Sequence, residues 1–100
     1  MARPVTFINV IDVDPSRQQE VIDILNEGTT EVISKRPGFI SVTILASPDK
    51  SRVVNIARWE SMDDVKATQA DPAAAKFVQR TADIATASPG VYMVVSEFTA

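Results

Sequence analysis

The chain has 100 residues, of which 45% are hydrophobic and 23% charged, and this is the composition of one small globular domain spanning residues 1–100. It contains no Cys and no His, which excludes disulfides, thiolate nucleophiles and the commonest metal and haem ligands. The formal net charge is −3, and Lys and Arg are scattered singly, so we expect no nucleic-acid partner. No apolar run approaches the roughly 20 residues of a membrane span. We therefore expect a cytoplasmic protein without a metal site or a membrane partner.

The first half of the chain predicts a strand, a helix and a second strand. Val5–Val13 is rich in β-branched residues, as strands are. The dipeptide Asp14-Pro15 supplies an N-cap and a Pro at the first helical position, and apolar residues follow at helical spacing. Pro37-Gly38 ends this helix, because Pro cannot continue it. We expect Phe39–Ala46 to be the second strand.

The second half predicts a strand, a helix and a final strand. A turn at 47–50 makes the first of these strands the partner of the preceding one in a hairpin. Ser61, with an Asp three residues later, resembles a capping box. Asp71-Pro72 repeats the helix start signal, and the segment 88–90 (Ser-Pro-Gly) breaks the helix. The three expected elements are Arg52–Trp59, Ala73–Ile84 and Val91–Phe98.

The order of these elements is that of the ferredoxin-like split βαβ fold, an α+β domain with an antiparallel sheet and helices on one face. Both faces of the sheet are apolar: Phe7 and Ile11 point one way in the first strand, and Ile8 and Val10 point the other. Helices cover only one face, and soluble monomers rarely leave large apolar patches bare. The chain has no spare segment to cover the second face. We therefore predict a homodimer whose two sheets form an α+β barrel around a cavity.

Two asparagines stand among apolar strand residues. Asn55 shares a strand face with Ala57 and Trp59, and Asn9 shares one with Phe7. A buried amide without a partner costs about 2–7 kcal/mol. Each Asn therefore bonds a neighbouring backbone group, or is kept for a ligand. Trp59 is open to a similar alternative, as a simple core residue. If the faces coincide, two amides and an indole N–H converge in an apolar pocket, which is typical of a small-molecule site.

Other polar residues carry weaker signals. Lys76 and Arg80 lie four residues apart on the last helix, where a solvated face is the default interpretation. Tyr92 is either a ligand contact or a core residue. Glu97 is either a base or an exposed side chain near the end of a strand. Arg58 lies on the face opposite to Trp59 and fits a solvent-exposed charge.

The segment Asn55-Ile-Ala-Arg-Trp-Glu-Ser61 resembles the Asn-x-x-x-Trp-x-Ser segment of the antibiotic biosynthesis monooxygenase superfamily, whose members are dimeric α+β barrels. The resemblance extends through 7–15 (FINVIDVDP), 36–45 (RPGFISVTIL) and 53–64 (VVNIARWESMDD) to 92–98 (YMVVSEF). It implies a reaction in which a polycyclic phenol of the anthrone type, an aromatic polyketide, is oxidised to a quinone by O2. No flavin, haem or metal takes part, so no cofactor is expected.

The resemblance also implies site residues. Asn55 and Trp59 would contact the substrate oxygens, and Asn9 would join them as the third catalytic residue. Some members place an Arg of the last helix near the substrate, which here indicates Arg80, with Gln79 as the alternative. The residues expected to bind the substrate are Phe7, Phe39, Arg80 and Tyr92. Haem-degrading relatives need a His, so that activity is disfavoured.

Two other functions remain open at this point. The chain could be a non-catalytic dimeric module that binds a small aromatic molecule, because a fold does not determine a function. It could also be a polyketide cyclase or isomerase of the same fold. The absence of His and the small number of acids expected in the core weaken the second alternative.

Overall fold

A computed structural model describes residues 3–100 of the chain. Its helices and strands are β1 Val5–Val13, α1 Gln18–Glu31, β2 Phe39–Ala46, β3 Arg52–Trp59, α2 Met62–Gln69, α3 Pro72–Ala82 and β4 Ala85–Tyr92. The strands form one antiparallel sheet in the order β2-β3-β1-β4. This is the predicted α+β fold with ferredoxin-like topology. No helix in the described part is long and apolar enough to cross a membrane.

Polar side chains determine where the helices begin. The Asp14 carboxylate accepts a hydrogen bond from the Ser16 N–H at 2.9 Å and opens a 3-10 turn that leads into α1. The Asp71 carboxylate accepts one from the Ala73 N–H at 2.9 Å at the start of α3. The Ser61 hydroxyl accepts the N–H of the residue three positions on and caps α2. Each bond satisfies an N–H that has no partner inside its helix.

The last strand lies earlier in the chain than predicted. β4 includes Pro89 and Gly90, which the sequence pattern places before it, and residues 93–100 have no helical or strand structure. The expected strand Val91–Phe98 is therefore wrong for all but its first two residues. β4 is an edge strand, and a Pro is tolerated there because its missing N–H is not required by a second neighbour.

The two faces of the sheet have different surroundings. All three helices pack on the face that carries Phe7, Ile11 and Ala57. Two buried clusters form the core there: Val5, Ala57, Trp59 and Val65, and Ile11, Val13, Val21 and Val53. The alternate strand residues, including Ile8 and Ile56, point to the second face, and residues 3–100 place no helix over it. We call this second side of the sheet the open face.

The β2–β3 turn is held by one carboxylate. Asp49 accepts hydrogen bonds from the Ser51 N–H at 2.9 Å, the Ser51 hydroxyl at 2.7 Å and the Ser47 hydroxyl at 2.8 Å. These bonds, chiefly the two from Ser51, lower the pKa of Asp49 to about 2. Because the turn connects the paired strands, it helps to fix the register of β2 against β3.

We expect Asp49→Asn to lower the free energy of unfolding at neutral pH and to lower it by less in acid. The pKa of Asp49 is lower in the folded chain than the value of about 3.9 in an unfolded one, so ionised Asp49 favours folding. This contribution is complete above the unfolded pKa and is lost as the pH falls through about 2. Urea unfolding followed by circular dichroism from pH 7 downwards measures it, with Glu97→Gln, at an exposed position after β4, as control. A difference from wild type that stays constant with pH would contradict the assignment.

Candidate functional site

A cavity of about 160 Å³ lies between the sheet and the helices of a single chain. The sequence pattern predicts an enclosed chamber between the two sheets of a dimer. The structure places the cavity on the other side of the sheet, because the strand residues that carry the two amides face the helices. One chain therefore forms the walls of this cavity from its own residues.

The two strand asparagines lie side by side in this cavity. Asn9 of β1 is directly opposite Asn55 of β3 in the antiparallel register, and both residues line the cavity. The Oδ1 atoms of both amides are buried, and neither has a hydrogen-bond partner among residues 3–100. A neighbouring backbone group therefore does not satisfy these two oxygens, although that was the alternative interpretation of the sequence. Leaving them unpaired is costly unless a ligand or water supplies a donor.

Trp59 also lines the cavity, and its side chain is fixed by packing. It is only 3% exposed. Its ring packs edge-on against Phe39, with the ring centroids 5.8 Å apart and an interplanar angle of 85°. Trp59 lies on the same strand face as Asn55, two positions beyond Ala57. Phe7 of β1, which pairs with Ala57, lines the cavity as well. Four predicted site residues thus meet at one cavity: Phe7, Asn9, Asn55 and Trp59.

The remaining predicted residues lie elsewhere in the chain. Phe39 supports Trp59 within the core cluster and does not form part of the described cavity wall. Both terminal nitrogens of Arg80 donate to Glu27 Oε2 at 3.1 Å on the protein surface. Gln79 donates to Asp83 at 2.9 Å, also on the surface. Tyr92 is 55% exposed at the end of β4.

The geometry of α3 and β4 explains these positions. At about 100° per residue, α3 turns Ala74, Phe77 and Thr81 toward the cavity, and this leaves positions 79 and 80 on its outer side. In β4 the alternate residues Ala85 to Val91 pair with the inward-facing residues of β1. Tyr92 has the opposite parity and lies on the open face with its ring against Gly90. A single chain therefore brings neither Arg80, Gln79 nor Tyr92 to the cavity.

Several lining residues were not predicted as site residues. Thr68 and Thr81 are buried, and their hydroxyls donate within their own helices, to Asp64 O at 2.9 Å and Phe77 O at 3.0 Å. Each hydroxyl oxygen keeps lone pairs that can accept a hydrogen bond. For Thr81 the sequence offers only the helical spacing of small and apolar residues in α3, which by itself indicates a core pattern.

The cavity wall carries no charge within the described residues. Its lining contains amides, hydroxyls, one indole and apolar side chains, but no Asp, Glu, Lys or Arg. In residues 3–100, no group of three or more carboxylates could hold a metal ion. Val78, which is 69% exposed, and the exposed Gln69 also line the cavity, so its mouth lies beside α3 and the end of α2. Such a site can stabilise a negative charge on a ligand by dipoles alone.

Comparisons with known proteins identify relatives of this chain. Tetracenomycin-F1 monooxygenase of Streptomyces glaucescens is 43% identical over 67 residues, which are 67% of this chain and 60% of that protein. The chain thus matches less than two thirds of the length of this relative. The structure of the monooxygenase ActVA-Orf6 of Streptomyces coelicolor, in complex with the ligand Nanaomycin D, has a TM-score of 0.87 at 25% identity and covers 98% of this chain and 93% of that one.

A second solved structure shows the same fold. A mutant of SnoaB from Streptomyces nogalater, a cofactor-independent oxygenase, has a TM-score of 0.84 at 23% identity, covering 96% of this chain and 97% of that one. The family model described as antibiotic biosynthesis monooxygenase matches residues 4–80. That match includes β1, β3 and α1 to α3 up to Arg80, and with them both asparagines, Trp59 and most of the cavity wall. The chain belongs to the antibiotic biosynthesis monooxygenase family.

Proposed function

We propose that this protein is a monooxygenase that oxidises a polycyclic phenol of the anthrone type to a quinone with O2 and without a cofactor. The observation that carries the proposal is the pair of buried, unpartnered amide oxygens of Asn9 and Asn55 in an uncharged apolar cavity. Family membership and the relatives named as monooxygenases support the reaction class. SnoaB, which shares the fold, is named a cofactor-independent oxygenase, and the proposal assigns the same independence to this chain.

The substrate and O2 together account for all atoms and electrons of the proposed reaction. The substrate methylene loses one proton, which passes to solvent water at the mouth of the cavity, and becomes a carbanion conjugated with the ring oxygens. One electron passes from the carbanion to O2, and the resulting radical and superoxide combine to form the C–O bond of a peroxide. After protonation, the O–O bond breaks as the second C–H bond is lost, which leaves a carbonyl and one water. The substrate thus supplies the electrons that a cofactor supplies elsewhere.

In this proposal the protein stabilises the anion and orients it. The Oδ1 atoms of Asn9 and Asn55 accept hydrogen bonds from phenolic hydroxyls of the substrate. The Asn55 Nδ2–H group and the Trp59 indole N–H donate to the ring oxygen on which negative charge develops. Asn9, opposite Asn55, holds the second oxygen or the peroxide. Apolar neighbours such as Phe7 exclude water, so each donor acts more strongly than it would in solution. A cyclase or isomerase that used a carboxylate or a cationic side chain would find none in the described wall of this cavity.

We also propose that a second copy of the chain covers the open face. The centre of this face is apolar, with Leu45 49% exposed and half-buried Ile8, Val10 and Ile56 beside it. Val95 and Phe98, in the segment after β4, are also exposed apolar side chains, at 95% and 92%. A twofold symmetric contact is the commonest way for identical apolar surfaces to be buried.

We expect Asn55→Ala and Trp59→Phe to lower kcat/KM for an anthrone by about 10²–10³-fold each, because each removes one preorganised donor. The protein is mixed with the anthrone without oxygen, O2 is then admitted, and its uptake is recorded with an oxygen electrode. Asn26→Ala, which alters an exposed Asn of α1, is the matched control and should keep the wild-type rate.

Circular dichroism confirms that each variant is folded before its rate is compared. Wild-type rates in folded Asn55→Ala and Trp59→Phe would reject the roles assigned to these residues. Binding of the anthrone without O2 uptake by the wild-type protein would indicate a binding module instead. Conversion of the substrate without O2 uptake would indicate an isomerase or a cyclase.

We expect Ile56→Lys to dissociate the dimer, because it places a charge at the centre of the proposed contact, where burial of an unpaired charge is costly. Sedimentation velocity of the wild-type protein at micromolar concentration should give the mass of two chains, and the variant the mass of one. Ala75→Lys, on the exposed side of α3, is the control. A wild-type protein that sediments as a single chain would overturn the proposed dimer.

A further inference from the structure

The volume of the cavity limits what it holds in this conformation. At about 160 Å³ it is close to an engineered apolar cavity of about 150 Å³ that accommodates benzene. A phenol with one ring matches this space. A substrate of three fused rings requires either that part of it protrude through the mouth or that a wall move.

Phe77 forms the wall where α1 and α3 meet. Both Gly28 of α1 and Phe77 of α3 line the cavity. A Cβ placed on Gly28 would lie 2.9 Å from Phe77 Cγ and 3.3 Å from its Cβ, so any larger residue at 28 would displace the ring. Gly is unfavourable in the interior of a helix. Its presence at this point of closest approach lets the Phe77 ring lie directly against the α1 backbone.

An ion pair joins the same two helices outside this contact. Arg80, three residues after Phe77, donates from both terminal nitrogens to Glu27 Oε2 at 3.1 Å, and Glu27 directly precedes Gly28. The Arg80 guanidinium carbon also lies 5.3 Å from the centroid of the Phe77 ring, within the range of a cation–π contact. Both partners are nearly half exposed, with side-chain accessibilities of 47% and 45%. Exposed pairs of this kind are weak.

We propose that Phe77 is a gate that determines the width of ligand the cavity admits, and that the Arg80–Glu27 pair positions it in the closed state. The proposal rests on the proposed function, in that the aromatic ligand occupies this cavity. Val78, next to Phe77 and largely exposed, lies at the mouth, so the gate is beside the path to solvent. A one-ring phenol enters with the gate closed. A three-ring phenol enters when the exposed ion pair opens and Phe77 moves away from Gly28.

The test measures association rates in the absence of O2, so that no turnover occurs. Trp59 is the single Trp of the chain and lines the cavity, and quenching of its fluorescence in a stopped-flow instrument reports binding. The ligands are phenol, 1-naphthol and anthrone. For the wild-type protein we expect the association rate constant to fall with the number of rings. Phe77→Ala should raise the constant for anthrone by at least about tenfold relative to that for phenol.

Arg80→Gln provides a second variant that leaves the Phe77 ring in place. It should raise the association rate for anthrone by about two- to fivefold, as expected for loss of one exposed ion pair, and leave that for phenol unchanged. Arg17→Gln is the matched control, because Arg17 forms an ion pair of similar exposure with Glu20 at 2.9 Å, at the other end of α1. It should change neither rate.

The possible outcomes distinguish a failure of the gate proposal from a failure of the proposed oxidation. Equal ratios of anthrone to phenol rates in the wild-type protein and in folded Phe77→Ala and Arg80→Gln would overturn the gate and leave the proposed oxidation standing. Gated binding of anthrone that is never followed by oxidation once O2 is admitted would support the gate and reject the oxygenase. If none of the three ligands quenches Trp59 in the wild-type protein, both proposals are wrong.

Discussion

The pairing of β1 with β3 is the constraint on which the site depends. Backbone hydrogen bonds in one register place Asn9 opposite Asn55, so the two amides are brought together by the strands that carry them. A slip of one residue in either strand would turn its amide to the opposite face of the sheet. The register is held by packing, because Ile11 and Val53 pair with each other two positions from the amides and are fully buried. The polar centre of the cavity is thus a consequence of apolar packing beside it.

An uncharged cavity suits a reaction whose charge is created on the ligand. Burying an ionised side chain without a partner has a large desolvation penalty. Amides, hydroxyls and an indole are uncharged, so they place polar groups inside the cavity with a smaller penalty. In such surroundings an anion formed on the ligand has no counter-ion, and its stability depends on the few dipoles that face it. In the proposed reaction these dipoles are the amides of Asn9 and Asn55 and the indole of Trp59, which line the cavity. A substrate that is easily deprotonated and that reduces O2 directly needs little more from the protein.

The sequence predicted the inner site better than its surroundings. Strict alternation predicts one face of β1 for Asn9 and one face of β3 for both Asn55 and Trp59. The observed register brings these two faces together on the same side of the sheet. Alternation could not show which face the helices cover, because both faces are apolar, and the cavity was therefore expected on the wrong side. Pro89 indicates a boundary in the sequence pattern, although an edge strand accepts it, and the last strand is therefore expected too late in the chain. Tyr92 is expected as a ligand contact or a core residue, but its pairing with Thr6 places it on the open face. The position of Arg80 depended on the rotation of α3, which no single residue in the sequence determines.

The two apolar faces have different consequences for the site. Because one chain forms the cavity walls, a second copy on the open face would act on the chemistry only through the strands. Ile8 and Val10 flank Asn9 in β1, and Ile56 follows Asn55 in β3, so packing against these side chains would restrain the backbone that carries both amides. A donor must be held within about 0.5 Å of its productive position to be effective. In the proposed dimer, the open face would therefore make the strand side of the cavity rigid, and this would leave the α1–α3 side as the wall that moves to admit a ligand.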